Sequence, residues 1–107
     1  MTSAERLVKA KQALRVDGTD NDEIISALAD AIPAYIETVT GMSETAQETE
    51  PLCCTVFQFI IRLWYYADHA DDVKLSRTIE NLLKCITLKA NSAAREAQQQ
   101  GAGNNGA

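Results

Sequence analysis

The run from Leu52 to Ala67 is broken only by Thr55, Gln58 and Arg62, and it limits the architectures open to the chain. Its length suits a helix of about four turns. Its β-branched and aromatic residues would also suit a buried strand, but no second segment of matching character exists to pair with it, so a helix is expected. The run is shorter than the ~20 residues a membrane-spanning helix needs and carries Gln58 and Arg62 near its middle, so no membrane span is expected. A helix with so narrow a polar face needs cover on most sides. One reading makes it the central helix, wrapped by the others. The favoured reading is that one face also meets another subunit, because a chain of 107 residues has little with which to enclose it. Trp64, Tyr65 and Tyr66 suit such an interface, where an aromatic body is buried and a polar tip finds a hydrogen bond.

The remaining segments also read as helices. Ser3 is placed to cap a helix from about Ala4 to Leu14, with Leu7, Ala10 and Leu14 on one side. A second helix is expected from about Asp20 to Thr40, with Ile25, Leu28, Ile32, Tyr35 or Ile36, and Val39 at helical spacing. Gly18 supplies a turn upstream, the aspartates cap, and Gly41 is placed as the left-handed residue that ends the helix. Pro33 removes one backbone bond, so a kink or local break is expected between Ala29 and Pro33. Met42 to Pro51 reads as a loop. A last helix is expected from Asp71 or Asp72, burying Leu75, Ile79, Leu82, Leu83 and Ile86, with Lys84 and Lys89 near its negative end. From Ala90 the composition turns to Ala, Asn, Ser and Gln. Residues 93–107 are expected to be disordered. The alternative is that they extend the last helix or order on docking. The expectation is therefore all-α: a small bundle of about four helices over residues 1–90, with a polar C-terminal extension at 91–107.

Several function classes find little support. A net charge of −5 argues against a free-standing duplex-DNA or anionic-membrane binder, and no helix shows the clustered Lys or Arg of a groove reader. Three cysteines, two of them adjacent, make no simple disulfide framework and lack zinc-ligand spacing; buried thiols acting as small apolar groups are expected. The Asp17, Asp20, Asp22 and Glu23 cluster lacks the central glycine and terminal glutamate of a calcium loop. Its acids are read as caps, or as partners of Lys9, Lys11 or Arg15 on a neighbouring subunit. His69, beside Asp68 and Asp71, reads as a helix-terminal histidine meeting the dipole. No phosphate loop or nucleophile elbow is present, so neither an enzyme nor a cofactor is expected. The N-terminus lacks the apolar core of a signal peptide.

The pattern Leu14-Arg15-Val16-Asp17, then Asp20-Asn21-Asp22-Glu23-Ile24-Ile25, Ala34-Tyr35-Ile36-Glu37 and Thr40-Gly41 resembles the head-tail connector, or adaptor, proteins of long-tailed double-stranded-DNA bacteriophages. The resemblance is clearest over residues 5–41, and Pro33 departs from the pattern. It implies a virion neck protein, assembled in the host cytoplasm, that is largely monomeric when free. On the portal protein it would form a closed ring of about twelve copies, each offering two different faces. A downstream neck, stopper or tail-completion protein would dock beneath, and genomic DNA would pass through without specific binding. On this reading Arg15, Asp17, Asp20, Asp22, Arg62, Trp64 and Tyr65 serve the subunit interface, while Arg95, Gln98, Gln99 and Gln100 dock on the portal. Glu44, Glu48 and Glu50 face the channel, where a ring charge on the order of −60 would repel phosphate. The alternatives are a small helical DNA-packaging or DNA-binding regulator and a helical interaction protein with no phage role.

Overall fold

Five helices and no strand make up the described residues of the computed structural model, which cover the backbone of residues 1–66 and 73–105 and the side chains of the same stretches up to residue 96. The all-α expectation holds. The expected start of the last helix at Asp71 or Asp72, and His69 with its neighbours, lie outside the described residues.

Helix α1 spans Ser3–Leu14. Thr2, not Ser3, is its cap: the Thr2 hydroxyl accepts the Glu5 backbone N–H at 3.1 Å. Ser3 instead donates to Asp30 at 2.8 Å, and Arg6 Nε reaches the other oxygen of the same carboxylate at 2.9 Å, tying α1 to the next helix. α1 closes on Arg15, which stands in the left-handed region at φ 58°, and the Val16 N–H returns to the Lys11 carbonyl at 3.0 Å. The chain thus turns three residues before Gly18, whose backbone shows no positive φ.

Helix α2 spans Asp22–Thr40 and ends on Gly41 at φ 84°, the conformation a glycine adopts without a Cβ clash. It continues as one helix through Pro33, so of the expected kink or local break the break does not occur. The expected loop contains a one-turn helix, α3, at Glu44–Gln47, capped by the Ser43 hydroxyl. Gln47 is buried there, and its Nε2 donates to the Pro33 carbonyl at 3.0 Å and to the Met42 carbonyl at 2.9 Å. This side chain ties α3 to the proline turn of α2.

Helix α4 spans Pro51–Tyr65 and, like α2, packs against every other helix. Its first turn suits its sequence, because Pro51 at N1 has no N–H to leave unsatisfied and the Glu50 carboxylate accepts the Leu52 N–H at 3.0 Å. Cys53, Val56, Phe57, Ile60 and Ile61 pack into the core, while Cys54, Thr55, Gln58 and Arg62 form an exposed flank. The other helices thus cover the core side of α4 within one chain, and Leu52, Phe59, Leu63, Trp64 and Tyr65 are partly buried beside it. Helix α5 spans Val73–Asn105 and adds Ile79, Leu83 and Ile86 to the core. Beyond Ala90 every side chain through 96 is exposed, so α5 continues past the bundle, and the molecule measures 60 × 30 × 18 Å. The alternative reading of the tail, as an extension of the last helix, describes this backbone.

Candidate assembly surfaces

Two of the expected interface residues, Asp22 and Tyr65, bind within the chain. Asp22, in the first turn of α2, lies 2.8 Å from Lys11 of α1, a partner expected on a neighbouring subunit. The Asp22 Oδ1 atom is itself buried, so this is a charge contact in a shielded position. Asn21 precedes α2 without a capping side-chain bond and donates to the Tyr65 hydroxyl at 2.8 Å, joining the start of α2 to the end of α4. The aspartates thus do not cap α2 through their side chains. Tyr66 donates to the Leu14 carbonyl at 3.4 Å and meets Tyr65 edge to face, with ring centres 5.0 Å apart. Trp64 is half-buried and stands edge-on to Tyr35, ring centres 5.3 Å apart. These aromatics seal the seam between α2 and α4, a role that needs no second copy.

The structure places the other expected interface residues on the surface. Arg15, Asp17 and Asp20 are exposed around the α1–α2 connection, and Arg62 is exposed on α4, far along the chain from them. Arg95 is exposed on the projecting part of α5. Gln98, Gln99 and Gln100 lie on the same helix, and their side chains fall outside the described residues.

The three glutamates expected to face a channel have separate environments. Glu44 is exposed in α3. Glu48 binds the amino group of Met1, and that hydrogen bond holds its carboxyl below the usual range. Glu50 is lowered first by the Leu52 N–H and then by Lys89 of α5, whose Nζ lies 2.9 Å away. Asp30 is likewise lowered by its bonds to Ser3 and Arg6. Glu50 is thus a cap and a tether between α4 and α5, a role the sequence reading missed; its signal was an acid directly before Pro51.

Between α1, α3 and α4 lies an open groove of about 400 Å³. Its lining includes Pro33 and Ile36 of α2, Phe57, and the charged Arg6, Lys9, Glu44 and Glu48. Cys53 at its edge is buried, its thiol pushed up to about 11 by desolvation. Contrary to expectation, Cys54 and Cys85 are exposed rather than buried, and all three cysteines are free. Among the described residues no group of three or more His, Cys, Asp or Glu side chains could hold a metal ion. Also among them, no helix is long and apolar enough to cross a membrane.

Two outward faces stand out. α2 exposes Ile24, Tyr35 and Val39 beside its buried stripe. α5 exposes Lys74, Arg77, Lys84 and Arg95, spread along its length with Glu80 among them. Comparisons with protein-family models, curated proteins and solved structures find no match to this chain. The faces themselves carry the functional argument.

Proposed function

We propose that the chain is a phage head-tail adaptor, a structural ring subunit of the virion neck that docks on the portal and receives the next neck or tail protein. The reading starts from the residue pattern between Leu14 and Gly41. It is supported by one structural observation above all: a well-covered bundle projects a polar helix beyond its own core. A helix of that kind gains nothing from intrachain packing, and a partner supplies what it lacks. In this reading Arg95 and the three glutamines beyond it are the portal-docking residues. Exposed Glu44 supplies acid to the channel wall, and DNA slides past a like-charged surface. The chemistry is mechanical and electrostatic, with no catalytic step or cofactor.

Imaging the full chain with a purified portal protein of a long-tailed phage tests the proposal. A closed ring beneath the portal is expected, with α5 directed towards it. A portal that stays bare at saturating protein overturns it. Deletion of residues 91–107 is expected to preserve the bundle and weaken portal binding; unchanged affinity removes the docking role from the tail.

The rival reading, a small helical DNA-packaging or DNA-binding regulator, is favoured by the exposed cations of α5. Salt-sensitive retention of duplex DNA by the purified chain would support it over the adaptor.

A further inference from the structure

α1 and α3 each pack against α2 and α4 but not against each other, and the open groove of about 400 Å³ lies between them. Its two walls differ in sign. α1 supplies Arg6 and Lys9, whereas α3 and its C-cap supply Glu44 and Glu48. Arg6 is committed to Asp30 and Glu48 to the amino group of Met1. That leaves Lys9 on one wall and Glu44 on the other, both exposed and without an ion-pair partner among the described residues.

The acidic wall also holds a nearly buried acceptor. Gln47 shares a face of α3 with Glu44 and Glu48 by its spacing, lines the groove and is 7% exposed. Its amide cannot be turned round, because Nε2 donates to two carbonyls, those of Pro33 and Met42. Oε1 accepts no hydrogen bond among the described residues, yet it is not sealed off, since there Asp22 Oδ1 alone is both closed to solvent and unpartnered. A fixed acceptor that opens on a cavity is matched by a donor on whatever enters it.

We propose that this groove binds a short apolar peptide with free ends. Its ammonium lies towards Glu44, one N–H is donated to Gln47 Oε1, and its carboxylate lies towards Lys9. Its side chains rest on Pro33, Ile36 and Phe57, which α2 and α4 contribute. The volume falls within the range of about 300–1,000 Å³ usual for small-ligand sites. A ligand of one sign leaves a wall unmatched, whereas an extended dipeptide carries opposite charges about 7 Å apart and suits two walls that do not touch. Because a zwitterion adds no net charge, its binding leaves the ring charge as it was, and the inference does not rest on the adaptor reading.

Titration of the isotope-labelled full chain with leucyl-leucine, followed by NMR, tests the proposal, with circular dichroism to confirm the fold of each variant. Saturable shifts at the Gln47 side-chain amide and at Phe57 are expected, with a dissociation constant below about 1 mM. Acetylating the amine or amidating the carboxylate of the peptide is expected to weaken binding about threefold or more. Glu44→Gln is expected to weaken the free peptide but not the acetylated one, and Lys9→Gln the free peptide but not the amidated one. No saturable shift up to about 10 mM, shifts that spare Gln47, or variants that bind as well as the unmodified chain overturn the proposal. Doubly blocked peptide that binds as well as the free form also overturns it and assigns the groove to an internal segment of a protein chain. A portal left bare ends the adaptor reading and leaves this inference standing.

Discussion

α5 is one helix living under two sets of rules. As far as Ala90 it is held by Ile79, Leu83 and Ile86 in the core and by Lys89 on Glu50; beyond that point the described side chains are all exposed. The near half is helical because an apolar stripe is buried, the far half because Ala, Arg, Glu and Gln favour the conformation locally. Burial decides stability, and propensity decides only shape. Substitutions on the two sides of Ala90 should therefore differ in kind.

The largest effect is expected in the near half. Ile86→Ala should lower unfolding stability by about 2–5 kcal/mol, because Ile86 is fully buried, and a urea titration would show it as a lower midpoint. A loss under about 1 kcal/mol would mean that the near half is no better anchored than the far half. Gln47→Ala should cost about 1–3 kcal/mol by the same measurement, since the Pro33 and Met42 carbonyls lose a buried donor.

Glu50→Gln acts at the border between the two halves and should cost about 1 kcal/mol at neutral pH through the weakened cap. Its pH dependence has a definite sign. The folded carboxyl titrates below its ordinary value of 4.5, so its stabilising effect is present above that value and fades as pH falls through the lowered one. The gap between unmodified chain and variant should then close in urea titrations below about pH 4. A gap unchanged at low pH would mean that the charge contributes nothing. The smallest effect belongs to deletion of residues 91–107, which should leave the urea midpoint within about 0.5 kcal/mol of the original while reducing the helical circular dichroism signal.

What the sequence disclosed and what it hid divide along the same line. Periodic apolar stripes and local stop signals were legible: Ile25, Ile32 and Ile36 are buried as spaced, Gly41 is left-handed as placed, and Ile79, Leu83 and Ile86 face inward. Features set by tertiary approach were not. The left-handed residue that closes α1 is Arg15, three residues before Gly18. Pro33 does not interrupt α2, and its carbonyl is met by a glutamine fourteen residues later. Tyr65 meets Asn21 across 44 residues, a pairing no local pattern announces. On α4, the Thr55, Gln58 and Arg62 interruptions visible in the sequence are joined by Cys54 on one exposed flank. Of the surface, residue types and approximate positions were readable.

The overhang of α5 has a metric consequence. From Ala90 to Asn105 it extends about 22 Å at the rise of an α-helix, and each residue also turns the tip by about 100°. Whatever grips the tip is thereby held at a set distance and azimuth from the bundle, like a jaw on a threaded gauge. Adding about seven residues would lengthen the reach and nearly restore the heading, whereas adding two would point the tip to the opposite side.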